Sequence, residues 1–278
     1  MKKRRQKIRL DQLLKRQRPG LSRSRIQAEI MAGKVLLEGS VCDKPGTLVD
    51  ENAAVKILEP ENRYVSRGGL KLDKALSDFS LDVRDLVVLD AGASTGGFTD
   101  CLLQNGARLV YALDVGYGQL DYRLRHHPAV KVMERFNVRF LKPGDLPDIP
   151  DLAVVDLSFI SLTKVVPVLH RLRIPGVLAL VKPQFEVGRA DAGRGKGVIR
   201  DPGLHQQVLR KVIDHASEHG YCCRDMTFSR YPGPKGNIEY FILLSRPQDA
   251  SCSCLAEYDK KVTETVEKAH LFFAAGKD

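Results

Sequence analysis

Leu86-Val-Val-Leu-Asp90-Ala-Gly-Ala-Ser-Thr-Gly-Gly-Phe98 joins an apolar run to an acid, a glycine-rich turn and the start of an amphipathic segment. A short apolar run bounded by turn residues reads as a buried strand. The residues that follow, Phe98–Gln104, read as a helix. The same alternation continues toward the C-terminus. Leu86–Asp90, Leu109–Asp114, Val130–Met133, Leu152–Asp156, Val177–Lys182, Cys222–Thr227 and Ile238–Leu244 are strand candidates. Leu162–Leu172 and Leu204–His219 are further helices between them. This rhythm predicts an α/β fold, a Rossmann-like and mostly parallel sheet with helices on both faces. Such sheets hold their ligands at the carboxyl ends of the strands.

Glycines at 92, 96 and 97 let the backbone turn sharply and approach a ligand. Dinucleotide enzymes use G-x-G-x-x-G, which aims a helix at a pyrophosphate. This loop reads G-x-x-x-G-G and follows a carboxylate, Asp90. A carboxylate there suits a ligand with cationic character better than a pyrophosphate. S-adenosylmethionine, with an ammonium, a sulfonium and no phosphate, fits. The second strand closes on Asp114, an acid suited to ribose hydroxyls in either cofactor class. Plainer readings stand beside these. Asp90 can cap a turn, and the glycines, with Gly116 and Gly118, can simply make turns.

The composition of the 278-residue chain is that of a globular protein of one or two domains, 43% hydrophobic and 28% charged. That excludes a disordered chain, a collagen and a coiled-coil rod. No apolar stretch approaches the roughly 18 residues of a membrane helix, and no secretory signal is visible. The six cysteines (42, 101, 222, 223, 252 and 254) form no C-x-x-C pair. Free thiols in a reducing cytoplasm and no metal site are the expectation.

The charge is uneven. Residues 1–60 carry 14 basic and 7 acidic groups, whereas the remainder carries 30 and 27. A basic head on a near-neutral body points to nucleic acid or an anionic membrane surface as partner. Within the head, Met1–Lys7 reads as a flexible arm. Ile8, Leu10, Leu13 and Leu14 form a helical stripe closed by Pro19-Gly20. Ser22 caps a second helix, Arg23–Ala32, with Ile26, Ile30 and Met31 inward and Gly33 as its stop. Val35–Leu37, Val41 and Val55–Leu58 read as strands. Arg16, Arg18, Arg23 and Arg25 cluster at the helix corner, where arginines and exposed amides suit phosphate. A merely soluble surface is the alternative.

Asp90, Asp114, Asp156 and Lys182 fall at strand ends. Glu239, near the start of the last strand, shares their rim if that strand runs antiparallel. The apolar run Val177–Val181 desolvates the lysine that follows it, and a second lysine nearby would add repulsion. Both lower a lysine's pKa toward that of a general base. A snorkelling edge lysine is the plain alternative.

Read together, the motifs resemble known families. The run Leu21-Ser-Arg-Ser-Arg-Ile-Gln-Ala28, with Gly33-Lys-Val35 and Lys44-Pro45, is similar to the RNA-binding fold named after ribosomal protein S4. Tyr64-Val-Ser-Arg-Gly-Gly-Leu-Lys71, Asp90–Phe98, Ala112–Gln119, Asp156–Leu162, Val181-Lys-Pro-Gln-Phe-Glu186 and Gly236–Tyr240 resemble, in order, the TlyA family. These are ribosomal-RNA 2′-O-methyltransferases, also labelled haemolysin A, with an FtsJ-like catalytic domain.

The resemblance implies an S-adenosylmethionine-dependent enzyme of ribosomal RNA or ribosomal subunits, with cytidine as the target. It divides the chain into an RNA-binding domain at 1–60, a linker and lead-in at 61–84 and a methyltransferase domain at 85–246; beyond it, 247–278 reads as a helical extension, with Leu255–Phe273 as an amphipathic helix packed on the body. It places a Lys-Asp-Lys-Glu catalytic set on Lys71, Asp156, Lys182 and Glu239. It agrees with the loop chemistry on Asp90, Gly92, Ser94, Gly96, Gly97 and Asp114 for the cofactor, and adds Asn137 toward the adenine. Arg189, Arg194 and Lys196 lie in a glycine-rich basic stretch, Val187–Pro202, expected to close on RNA phosphates. Three rivals remain at this point: a non-catalytic RNA-binding or ribosome-assembly protein, a membrane-active haemolysin, and an oxidoreductase.

Overall fold

The computed structural model describes residues 7–18, 23–31, 35–38, 40–57, 63–188, 197–247 and 255–275. They fall into two compact units that divide after Arg63.

The first unit holds β1 (Lys7–Arg9), α1 (Leu10–Gln17), α2 (Arg23–Met31), β2 (Val35–Leu37), β3 (Ser40–Val41), β4 (Leu48–Asp50) and β5 (Val55–Ile57). β1 pairs antiparallel with β4, and β2 lies between β3 and β5. Leu10, Leu13, Leu14, Ile26, Ile30, Val35 and Val49 form the core. Two expectations are corrected. Ile8 lies in β1, not in the helix, because it alternates with Lys7 and Arg9, and three residues are too few to reveal a period of two. Met31 is 64% exposed, because Ile26 and Ile30, one turn apart, carry the buried stripe and Met31 sits about 100° further round. The buried carboxylate of Asp11 accepts from Arg9 at 3.0 Å, Gln27 at 2.8 Å and Arg23 at 3.3 Å. These donors, Arg9 first, hold its carboxyl well below the usual range. Residues 1–6, Pro19-Gly20, Ser22, Ala32, Gly33 and Leu58 lie outside the described residues.

The second unit holds α3 (Arg67–Asp78), β6 (Val87–Ala91), α4 (Gly97–Gln104), β7 (Leu109–Leu113), α5 (Tyr122–Arg125), β8 (Val130–Met133), β9 (Leu152–Val155), α6 (Val166–Arg171), β10 (Gly176–Val181), α7 (Pro183–Glu186), α8 (Pro202–Glu218), β11 (Cys222–Phe228), β12 (Tyr240–Ser245) and α9 (Leu255–Ala275). The sheet order is β11-β12-β10-β9-β6-β7-β8. The run from β10 to β8 is parallel, and β12 is antiparallel to both of its neighbours. The fold is the expected α/β sheet with helices on both faces.

The helix Leu162–Leu172 was expected in one piece. Instead a 3-10 turn at Leu162–Lys164 precedes α6. Pro167 lacks the N–H that a helix interior needs, so α6 can begin only just before it. α3 fills a stretch read as linker and lead-in, where Gly68-Gly69 hides the helical signal. α9 packs on the body through Val262, Val266 and Ala269, as the amphipathic pattern of Leu255–Phe273 implied. Cys222 is disulfide-bonded, which corrects the expectation of unpaired thiols throughout, while Cys42, Cys101 and Cys223 are in the thiol form. Its partner lies outside the described residues, and no local spacing announced the pair.

Candidate active site

Side chains of a strand alternate between the two faces of its sheet. Leu152 and Val154 of β9, Leu178 and Leu180 of β10, and Phe241 of β12 pack on the side of α3 and α4. Continuing the period of two past each strand end puts Asp156, Lys182 and Glu239 on that same side. β12 pairs antiparallel with β10 in the register Val181↔Tyr240, so Lys182 and Glu239 meet at one rim. α3 covers this corner and brings Lys71. All four line one cavity of about 490 Å³.

The four side chains form two ion pairs. Lys71 Nζ lies 2.6 Å from Glu239 Oε2. Lys182 Nζ pairs with Asp156 and donates to Ser158 Oγ at 3.3 Å. The expectation that one lysine repels the other is therefore revised, since each ammonium has its own carboxylate. Gln184 Nε2 donates to the other oxygen of Glu239 at 3.3 Å. Gly233 lets its loop pass against this carboxylate, because a Cβ there would collide with Glu239.

A second cavity of about 690 Å³ adjoins the first, and both are lined by Gly92, Ser94 and Asp156. Asp114 and Asn137 line only the second. Asp114 ties two loops together, accepting from Ser94 N at 2.8 Å and Gly116 N at 2.7 Å. Asn137 Oδ1 accepts from Arg139 N at 3.1 Å.

Asp90 and Gly96 line neither cavity. The Asp90 side chain lies beneath the glycine loop at 0% exposure, where its Oδ2 accepts from Thr99 Oγ1 at 2.6 Å. Its Oδ1 is buried without a hydrogen-bond partner among the described residues. Burial pushes this carboxyl up to about 7, against the Thr99 hydrogen bond and with a further push from Asp156. Gly96 has φ +97, and the space of a Cβ is filled by Leu120 and Leu124. At Gly97 that space is taken by Ser66 Oγ and the Gly69 amide. The close approaches at these two glycines are to protein, although Gly97 also lines the first cavity.

In the first unit, Arg16 and Arg18 are exposed, while Arg23 is 57% exposed and shares Asp11 with Arg9. The Arg25 side chain, Arg189, Arg194 and Lys196 lie outside the described residues. Ser66, Arg67, Ser158, Gln184 and Lys235 also line the cavities or hold the ion pairs, and no feature of the sequence singles them out one by one. Their signals were weak: two lay in the supposed linker and one in a Pro-Gly loop. His215, Glu218 and His219 at the end of α8 bring possible ligand atoms within 4.8 Å of one another and line neither cavity. Among the described residues no helix is long and apolar enough to cross a membrane.

Comparison with known proteins bears on this geometry. The FtsJ-like methyltransferase family matches residues 64–246, and the S4 domain family matches residues 8–55. The 16S/23S rRNA (cytidine-2′-O)-methyltransferase TlyA of Mycobacterium tuberculosis is 46% identical over 241 residues, 85% of this chain and 90% of that protein. Hemolysin A of Brachyspira hyodysenteriae is 39% identical over 236 residues, covering 84% and 98% of the two chains. A solved structure of a candidate hemolysin from Streptococcus thermophilus superposes with a TM-score of 0.73 at 40% identity and 99% coverage of both chains.

Proposed function

The chain belongs to the FtsJ-like methyltransferase family, and on that premise we propose that it methylates a ribose 2′-hydroxyl, that of a cytidine in 16S or 23S ribosomal RNA, with S-adenosylmethionine as the methyl donor. One observation carries the reading: two lysine–carboxylate pairs from four separate segments meet on the wall of a single cavity. The donor set fits S-adenosylmethionine. Two cavities joined at Gly92, Ser94 and Asp156 suit an elongated ligand, and Asp114 and Asn137 offer groups for ribose hydroxyls and an adenine. Gly97 and Ser66, which line the first cavity, would face its amino-acid end. Asp90 braces the loop from below through Thr99.

When bound, the cofactor supplies a methyl group on a sulfonium that the ribose oxygen displaces in line. The work of the chain is positioning and proton handling. Lys182 Nζ gives one proton to Asp156, which also fixes its direction, and takes the hydroxyl proton in its place. Lys71, held by Glu239, orients the ribose from the opposite wall. The first unit supports RNA as the partner through its S4 match and its basic surplus. Arg16, Arg18, Arg23 and Arg25 there, with Arg189, Arg194 and Lys196, are the proposed phosphate contacts. A target inside folded RNA has to be flipped out to reach such a cavity. A cytoplasmic location belongs to the same reading.

The test is tritium transfer from labelled S-adenosylmethionine into purified 16S rRNA, 23S rRNA and intact subunits, with Lys182→Ala beside the wild type. Label in one RNA, alkali-stable at the modified linkage and absent with the variant, is the expected result. No label on any of them, with the cofactor bound, overturns the reading in favour of a non-catalytic RNA-binding protein.

A further inference from the structure

Beyond the four charged residues of the cavity, the turn that follows β10 carries an acid with no role so far. Glu186 closes α7 at 4% exposure, four residues after Lys182. Its carboxylate turns back toward the segment that leaves β9. Oε1 accepts from the Leu162 amide at 2.7 Å, and Oε2 accepts from Ser161 Oγ at 2.5 Å. Its backbone carbonyl accepts from Lys211 Nζ of α8 at 3.0 Å. Burial pushes the carboxyl up and the two donors pull it down.

The loop it grips is the one that aims the cavity's second ion pair. Leu157–Ser161 connects Asp156 to the turn that Glu186 holds. Phe159 within it adopts φ +63, a left-handed conformation that a non-glycine residue keeps only where its surroundings enforce it. Its ring is 90% exposed and rests only 4.8 Å, centroid to centroid, from that of Phe185, on the same turn as Glu186. The loop is thus fastened at both ends to one turn. Lys182 holds Asp156 and Ser158 at the near end, and Glu186 holds Ser161 and Leu162 at the far end.

We propose that Glu186 is a positioning residue for the methyl transfer: its carboxylate clamps the Leu157–Ser161 loop to the Lys182 turn and so holds Asp156 and Lys182 in reacting alignment. This rests on the methyltransferase reading above. The role needs reach, not charge. Glutamine keeps the length: its oxygen can accept from the Leu162 amide, and its amide can donate to the Ser161 hydroxyl, which is free to turn toward Thr163. Aspartate keeps the charge but falls a methylene short of both donors.

The experiment compares Glu186→Gln and Glu186→Asp in the full chain by kcat and KM for methyl transfer, by thermal unfolding, and by amide hydrogen exchange over residues 157–162. The expected result is a kcat loss of roughly 10- to 100-fold in the aspartate variant, the size of a small misplacement of reacting groups. KM for both substrates stays within about threefold, and exchange at 157–162 quickens. The glutamine variant stays within about threefold of the wild type in kcat. Wild-type kcat in the aspartate variant overturns the proposal. So does an equal loss in both variants, which would mean that charge matters, or a loss accounted for by the unfolded fraction alone. If the wild-type protein methylates no ribosomal RNA, the methyltransferase reading fails by itself. The clamp then stands on faster exchange at 157–162 in Glu186→Asp, and unchanged exchange there overturns it.

Discussion

Lys71–Glu239 and Lys182–Asp156 are both lysine–carboxylate pairs on the wall of one cavity, yet their settings differ. Glu239 is 0% exposed and Lys71 12%, and the two lie 168 residues apart in sequence. Asp156 is 21% exposed, and Lys182 comes from the strand beside it. In the first pair the carboxylate is sealed, so Glu239 left alone would be a buried charge without water. The second has a carboxylate within reach of solvent, which a group that exchanges protons requires. On the proposed reading the same chemistry serves as a brace on one wall and as a reacting couple on the other.

Several substitutions break or sharpen this contrast. Lys182→Met removes the proton acceptor and should lower turnover by about 10²–10⁴-fold, the usual range for acid–base groups, with the thermal midpoint little changed. A large fall in the midpoint with turnover retained would reverse the assignment of roles. Lys71→Met strands the sealed Glu239 and should cost about 3–5 kcal/mol of stability. Denaturant unfolding measures it, and the double variant Lys71→Met/Glu239→Gln should recover most of the loss. A single variant as stable as the wild type would show that the pair is no brace.

The buried aspartates give smaller effects of opposite sign with pH. Asp11→Asn removes the shared acceptor of Arg9, Arg23 and Gln27 and should cost about 1–3 kcal/mol at neutral pH. Because this carboxyl is held below its usual value, the cost should vanish as pH falls through the carboxylate range. Asp90, pushed up to about 7, behaves the other way. Its folded form holds a proton that the unfolded chain has lost, so wild-type stability should fall by about 1 kcal/mol between pH 6 and 8. Asp90→Asn should flatten that slope, and an unchanged slope in denaturation at the two pH values would remove Asp90 as its source.

The sequence made the sheet legible because most of its strands are short apolar runs ending in a turn or an acid. It made Asp156 and Lys182 legible for the same reason, since both stand where such a run stops. Lys71 had no local signal. Its helix begins Arg67-Gly-Gly, which reads as a loop, and its partner lies at the far end of the chain. Only the resemblance supplied it. Asp90 was visible as an acid, but the sequence did not show that its side chain lies beneath the loop and lines neither cavity. Whether a strand-end side chain enters a cavity or lies beneath it depends on what packs over it, here Thr99 of α4, and no pattern of residue types encodes that. Glu186 shows the same limit, as its two partners lie 24 and 25 residues back, on another strand's exit loop.

The most direct test of the central claim is nucleoside mass spectrometry of ribosomal RNA incubated with the protein and S-adenosylmethionine, digested and compared with untreated RNA. A paired-charge cavity built to take a proton from a ribose oxygen predicts 2′-O-methylcytidine, and no new product when Lys182→Ala replaces the wild type. A methyl group on a base, or 2′-O-methylation undiminished in that variant, would contradict it.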